Sequence, residues 1–469
     1  MTDKTARLFH DRTGRLRHYD LFIDKVNERI VFMKKLTFIL IGAGNRGKCY
    51  TQHAYMHGGY ELVGIADPNE QTREFMREHY HIPKENCYKT YDELLARGKI
   101  ADFAMICTQD RLHFAPAMKA IEQGYPLMLE KPVAPTPEEC IQIRNAAEQK
   151  GVPVVVCHVL RYTPFARAVK QVIAEGRLGR IINIIHTECV GNIHYSHSFV
   201  RGPWRNTEES SNMLLAKSCH DLDLLQWLLQ SQCKKVQSFG RLSYFRKENC
   251  PNDAPERCTL GCPYAERCPY NTLKIYRDYP AEEGYLFPPR HPDGTRFTPE
   301  ETEQWLETSG YGRCVFQCDN DVVDHQTVNL EYENGETVVF TMSPFNQGGR
   351  RIHIMGTKAE LTSTDFDTIE LFTYCDEDPS SERYGHNRRD IIKTSEFEID
   401  QSIAGGHGGG DIGIMDDLWK LLCEGKKTPS VSDIRTSVGN HLTVFAAEYS
   451  RTHGGVLTTV DAYIHSIQT

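Results

Sequence analysis

The feature that most constrains this chain is the run Leu36–Ile41, LTFILI, followed at once by Gly42-Ala-Gly44-Asn-Arg-Gly47. An unbroken apolar run suits a strand buried on both faces. Further runs at Tyr60–Ala66, 101–107, 126–129 and 153–157 alternate with helix-period stretches to about His57 and over 69–81, 113–124 and 137–150. Strands alternating with helices predict a parallel sheet covered on both faces. The glycine turn then sits between the first strand and the first helix, which is the context in which G-x-G-x-x-G reads as a dinucleotide-binding turn.

Each part of that turn has a physical task. Gly42 permits the tight bend, Gly44 lets backbone approach a pyrophosphate, and Gly47 lets helix pack on strand. Asn45, Arg46 and Gly47 begin the helix, whose free N–H groups favour phosphate. Asp67 ends the second strand, 20 residues past Gly47. Its carboxylate can accept from ribose hydroxyls and repel a 2′-phosphate, so NAD is expected over NADP, with nearby Arg73 softening the preference.

After about residue 160 the pattern changes. A helix over 165–175, a long helix over 211–230 and a strand near 181–189 precede alternating segments at 322–332, 337–342, 351–355 and 368–374. These predict a large, open, mostly antiparallel sheet with helices on one side. Tyr332-Glu-Asn-Gly335 reads as a hairpin and Gly356-Thr-Lys358 as a turn. The fold class is therefore α/β: a doubly wound Rossmann domain over 33–157, then an α/β domain over 158–469 for substrate binding and oligomerisation. Residues 1–32 are charged throughout and are read as an N-terminal extension outside the first domain. Residues 245–312, rich in Pro, Cys, Tyr and Arg with little periodicity, read as an insertion.

Composition narrows the function classes. The 469 residues are 40% hydrophobic and 25% charged, with a net charge of −9. That is the profile of a folded globular chain, with no electrostatic reason to bind nucleic acid or an anionic membrane. The charged start lacks a secretory apolar region, and no long apolar span occurs, so a cytoplasmic location is expected. The 16 cysteines are then read as thiols or metal ligands before disulfides.

Glu130-Lys131-Pro132 follows the fourth strand. With it stand Thr108 and His113 after the third strand, Arg161-Tyr-Thr-Pro164, Gly176-Arg-Leu-Gly179, Trp204-Arg205, His220-Asp-Leu-Asp223 and Gly406-His407-Gly-Gly-Gly-Asp411. In this order the chain resembles the Gfo/Idh/MocA family of NAD(P)-dependent sugar and cyclitol oxidoreductases, over roughly 34–245 and 313–465. The resemblance implies an active site between the domains, a cis bond before Pro132, cofactor contacts from Thr108, His113, Glu130 and Lys131, and a homo-oligomer, dimer or tetramer, built on the open sheet.

Residue chemistry agrees. Ligands of open parallel sheets lie beyond the carboxyl ends of the strands, where Lys131 falls. Lys131 can donate to a substrate hydroxyl and stabilise an alkoxide. His220 is the candidate base for the hydroxyl proton. Lys217 and Asp223 lie at i−3 and i+3 on its expected helix, and Asp223 is placed to orient the imidazole. His158, Arg161, His194, Trp204, Arg205, His325 and His407 are further substrate-cleft candidates, with Asp411 as a helix N-cap. Ala216 stands where members of the family commonly carry Asp, four residues before the histidine, and Lys217 follows it. The pair suits an anionic substrate or a different proton path.

The expected activity is hydride transfer between a carbinol of a sugar, cyclitol or sugar derivative and nicotinamide. Two alternatives remain open: an NAD-retaining glycosidase that oxidises transiently and eliminates, and a dinucleotide- and sugar-binding regulator without turnover.

Cys250, Cys258, Cys262 and Cys268 fall within the insertion, three of them followed by proline. Four thiolates suit a closed structural zinc site, with an iron–sulfur cluster or free or disulfide-bonded thiols as alternatives. Cys314 and Cys318 can join the group, but spacing assigns them no partner.

Overall fold

The computed structural model describes residues 35–278, 289–292, 294–394 and 408–468. The expected N-terminal extension and His407 lie outside these residues. The first sheet runs in the order β3 (Cys87–Tyr88), β2 (Tyr60–Ala66), β1 (Leu36–Ile41), β4 (Phe103–Ile106), β5 (Leu127–Leu129), β6 (Val154–Val156). Every pairing is parallel. The strand order reverses its direction of growth at β1 and β4, so a crevice opens beyond their carboxyl ends. Leu40, Met105 and Met128 are fully buried, as strands covered on both faces require.

The helices match the sequence closely where capping chemistry is strong. Thr136 caps Pro137–Lys150, which ends on Gly151 in the left-handed conformation. Thr163 caps Pro164–Ala174, with proline in its first turn.

The second sheet has nine strands: β14 (Arg388–Lys393), β13 (Thr368–Thr373), β12 (Ala359–Ser363), β11 (Gly349–Gly356), β7 (Ile181–Cys189), β10 (Thr337–Ser343), β9 (His325–Tyr332), β8 (Cys233–Arg241), β15 (Thr458–Thr459). Only β7 and β10 pair in parallel. The β9–β10 hairpin closes through Gly335 at φ 89°. One face packs on the long helix Ile434–Thr452, through contacts such as Ser238 N–H to Ser450 Oγ at 3.0 Å.

Two sequence expectations need correction. The single helix over 211–230 is broken into Met213–Ala216 and Cys219–Leu229, with Lys217 (φ −109°, ψ −57°) and Ser218 between them. The apolar period runs through the break and hides it. Within the insertion, Pro299–Thr308 is a regular helix carrying a Thr298/Glu301 capping box, a signature present in the sequence but outweighed by the surrounding prolines.

Candidate functional site

At the end of β1, Gly42 adopts φ 89°, and a Cβ there would lie 2.8 Å from the Cys107 carbonyl carbon. The turn therefore presses against the end of β4, and only glycine fits. Gly47 presses on the Gly42 carbonyl in the same way. At Gly44 an added Cβ would meet nothing within 4 Å, leaving backbone open to a ligand. Gly44 caps the helix Asn45–His57 without a side-chain hydrogen bond, and no acid occupies its first turn. Those N–H groups suit a pyrophosphate. Asp67 Oδ2 accepts from Ala43 N–H at 2.7 Å and Oδ1 from Asn69 N–H at 2.9 Å. The carboxylate thus braces the turn at the edge where a ribose would sit. Arg73 Nη1 donates to the Asp67 carbonyl at 2.7 Å, which places a guanidinium beside it. This arrangement fits a dinucleotide.

Lys131 follows β5, and its peptide bond to Pro132 is cis. Its ammonium donates to the Ala216 carbonyl at 2.7 Å, joining the Rossmann domain to the segment that leads into His220. Glu130 beneath it accepts from Lys131 N–H (2.6 Å), Tyr50 Oη (3.1 Å) and Arg46 Nε (3.1 Å). Arg46 also pairs with Asp411 at 2.5 Å. Arg46 and Glu130, expected at the cofactor, therefore tie the first helix to Gly410–Glu424 through a partly buried ion-pair network. Asp411 is not the N-cap of that helix; Gly409 is.

His220 is buried on the first turn of Cys219–Leu229, its ring 5.8 Å from that of His158, edge to face. His158 is fully buried, and burial together with Arg161 and Lys131 pushes its imidazole far below the usual value. His194 is driven down to about 2 by burial and by the charges of Lys217, His197, Lys131 and Arg350. Lys131, Lys217, His158, His194 and His220 thus gather around one polar region at the carboxyl end of the parallel sheet.

Lys217 lies 3.5 Å from Glu188. Glu188 pairs with Arg350 at 2.6 Å, and Arg350 also pairs with Asp221 at 2.7 Å. Asp221 receives His186 Nε2 at 2.8 Å. Burial lowers the lysine and raises Glu188, so the two protonation states lie closer than for exposed groups. The charge of Lys217 is balanced within the protein, which removes the argument for an anionic substrate. Glu188, His186 and Arg350 were invisible to sequence reasoning because they lie on strands far from the histidine motif.

Other expected site residues have different partners. Both oxygens of Asp223 take Arg161, Nε and Nη2, at 2.6 Å. Asp223 therefore anchors a buried fork instead of orienting His220, and Arg161 is committed to that fork instead of to substrate. The helix break before Cys219 takes Lys217 out of the i−3 geometry; Asp223 stays at i+3 on the same helix, but its two oxygens are taken by Arg161. Arg205 pairs with Asp319 at 2.9 Å and with Glu209 at 2.8 Å on the surface. His325 Nδ1 lies 2.7 Å from Asp324. His113 sets Nδ1 on the Pro132 carbonyl at 2.7 Å and Nε2 on the Thr108 carbonyl at 3.1 Å, and so braces the Lys131 loop. Thr108 Oγ1 donates to the Leu112 carbonyl. Trp204 Nε1 donates to Asp110 at 3.1 Å, pinning the second domain to the loop after β4.

The cysteines do not gather as a zinc site requires. A tetrathiolate zinc at about 2.3 Å per bond draws its sulfurs to roughly 3.8 Å from one another. Among the described residues the sole set of three ligand-type side chains whose atoms lie within 4.8 Å of one another is Cys49, His53 and Asp411. Cys258, Cys262, Cys268 and Cys314 instead line one cavity, and Cys250 is not among its lining residues.

Comparison with known proteins agrees with this fold. Residues 36–158 match the model described as "Oxidoreductase family, NAD-binding Rossmann fold", and residues 170–401 match "Oxidoreductase family, C-terminal alpha/beta domain". The putative oxidoreductase YteT of Bacillus subtilis is 24% identical over 386 residues, 77% of this chain and 82% of that one. A 1,5-anhydro-D-fructose reductase of Ensifer adhaerens is 32% identical over 211 residues, 45% of this chain and 61% of the reductase. The WlbA dehydrogenase of Bordetella pertussis, solved with NADH and UDP-GlcNAcA, superposes with a TM-score of 0.61 at 18% identity, covering 91% of this chain and 99% of that one. Among the described residues no helix is long and apolar enough to cross a membrane.

Proposed function

This chain belongs to the Gfo/Idh/MocA oxidoreductase family, and from that premise we propose that it is an NAD-dependent dehydrogenase of a sugar, cyclitol or sugar derivative. The observation that carries the reading is the 2.7 Å hydrogen bond from Lys131 Nζ to the Ala216 carbonyl. It sets an ammonium beside the turn that presents His220, at the strand ends where the glycine turn also lies. Nicotinamide, when bound, accepts or supplies the hydride at the carbinol carbon. Lys131 leaves the Ala216 carbonyl, donates to the substrate hydroxyl and stabilises the developing alkoxide. His220 takes the hydroxyl proton.

Ala216 provides no carboxylate for passing that proton onward. The Lys217–Glu188 pair substitutes for it: a buried lysine with a lowered pKa and a buried glutamic acid with a raised one can exchange a proton at small cost. Asp67 favours NAD, and the open face of the nine-stranded sheet forms a homo-oligomer. The location proposed for this enzyme is the cytoplasm, where cysteines serve as thiols or metal ligands before disulfides.

The test is NADH formation from NAD with a panel of sugars and cyclitols. Turnover by at least one of them supports the dehydrogenase. Glycoside cleavage without net NADH, or binding without either reaction, replaces it with the glycosidase or the regulator.

A further inference from the structure

The insertion contains a group of side chains that the dehydrogenase reading does not use. Cys258, Cys262, Cys268 and Cys314 line a single cavity together with Arg201, Pro251, Pro255, Tyr264, Tyr270 and Phe316. The fourth thiol comes from outside the sequence cluster. An isolated antiparallel bridge between Arg257 and Arg313 brings the Cys314 segment alongside the one that carries Cys258: Cys314 falls opposite Glu256 and its N–H donates to the Glu256 carbonyl at 2.7 Å. The folded chain therefore presents four thiols to one volume.

Arg201 is the second, independent observation. It is 3% exposed. Its Nε donates to the Arg313 carbonyl and its Nη2 to the Tyr270 carbonyl, each at 2.8 Å. Nη1 is buried with no hydrogen-bond partner, and no carboxylate among the described residues pairs with this guanidinium. A buried cation without a counter-charge costs several kcal/mol. Neutral thiols do not neutralise it.

We propose that Cys258, Cys262, Cys268 and Cys314 hold an iron–sulfur cluster whose negative charge is balanced by Arg201. Four thiolates around a cubane core carry a net charge of about −2, and ligation by four cysteines is what such clusters require. Each thiol gives up its proton as its Fe–S bond forms, and iron with inorganic sulfide supplies the core. Spacing separates this from zinc. One ion pulls four sulfurs together, whereas a cubane seats each thiolate on a different iron corner and holds them farther apart. These sulfurs do not converge within 4.8 Å in threes. The other convergence of ligand-type side chains, Cys49, His53 and Asp411, already has the Arg46 guanidinium on Asp411 at 2.5 Å, so the charge a cation would bring is present. The cluster is structural: all four thiols are ligands, and it anchors the segment that carries Arg201, His197 and His194 along one wall of the cleft.

The experiment is anaerobic purification of the full chain, then reconstitution with ferrous iron and sulfide. About four iron and four acid-labile sulfide per chain are expected, with a broad brown absorption. Cys314→Ser should lower iron below half of that value, Arg201→Met should weaken retention, and Cys250→Ser should leave the iron content unchanged. Far-UV circular dichroism identifies a variant that simply fails to fold, and the intact protein's metal content stands without any variant. Stoichiometric zinc without iron, four titratable thiols after reconstitution, or cysteine pairs closed as disulfides would each overturn the proposal.

Discussion

The Val133 backbone N–H donates to Nε2 of His441 at 3.0 Å, although the residues are 308 positions apart. His441 Nδ1 lies 2.7 Å from the Ser437 carbonyl one turn back on its own helix. The ring must then carry its proton on Nδ1, which leaves Nε2 as an acceptor. A helix of the second domain thus seats the loop that carries Lys131. His441→Leu removes the acceptor and leaves a buried N–H unsatisfied, at about 1–3 kcal/mol. The urea midpoint should fall with an unchanged slope, and His441→Gln, which can still accept, should recover part of the loss. Equal midpoints for His441→Leu and the parent would show that the contact contributes nothing.

The same ring predicts acid sensitivity. Burial and neighbouring positive charge lower His441 from 6.5 to about 3 and push His158 well below 6.5. Both rings are 0% exposed and neutral in the folded state, while the unfolded chain protonates them near 6.5. The unfolded state binds the extra protons, so stability present above pH 6.5 is lost as pH falls from 6.5 toward 3. Each ring contributes a slope of about 1.4 kcal/mol per pH unit in that window. Urea titrations at pH 7.5, 6 and 5 measure it. A midpoint independent of pH between 7 and 5 would contradict the buried neutral pair.

The catalytic assignment has a kinetic signature. Lys131→Ala and His220→Ala should each lower turnover by about 10²- to 10⁴-fold. NAD binding should survive both, because the glycine turn and Asp67 lie on other loops. If His220→Ala turns over the best substrate of the panel near the parental rate, the base is misassigned, and Lys217 beside Glu188 is the next side chain to replace.

The first domain was legible in the sequence because its signals are local: continuous apolar strands, Thr136 and Thr163 as caps, and a glycine turn whose bend admits no other residue. Gly42 against Cys107 is the spatial consequence of a motif that six residues define. The site was legible only as far as each side chain acts from its own segment. Lys131 and His220 were found that way. The pairing of Asp223 with Arg161 was not, because it joins side chains 62 positions apart through tertiary contact, and the break at Lys217 and Ser218 went unseen because the hydrophobic period runs through it. Glu188, Arg350 and His441 are distant from the motifs and contribute through tertiary contact alone. The cysteines follow the same rule: spacing suggested Cys250, whereas the cavity is lined by Cys314, which the Arg257–Arg313 bridge brings from outside the sequence cluster.

Cofactor preference turns on two neighbours. Asp67 lies where the proposed ribose would sit, and Arg73 is fastened to the Asp67 carbonyl. NAD should bind more tightly than NADP, and Asp67→Ala should narrow the difference by removing repulsion of the 2′-phosphate while Arg73 remains. The variant should also lose stability, because the Ala43 and Asn69 N–H groups lose their acceptor. Fluorescence titration with each reduced cofactor reads the preference, and tighter NADP binding by the intact protein would reverse it.

The outer face of the large sheet makes the final prediction. Val339 on β10 lies opposite Ile185 on β7, and they are 41% and 46% exposed. Phe239 on β8, 53% exposed, pairs with Thr327. Apolar and threonine side chains side by side on a broad, flat surface lose contact with water only if another surface covers them. The opposite face is already occupied by the helix Ile434–Thr452, so this side is where a second copy of the chain is expected. Sedimentation should give a mass at least twice that of the 53.6 kDa chain. The double substitution Ile185→Lys and Val339→Lys places two ammonium groups per protomer at the contact, where they oppose those of the partner, and should shift the mass to that of one chain with little change in the monomer's circular dichroism. An intact protein that sediments as a monomer, or a double variant that keeps the parental mass, would place the assembly surface elsewhere.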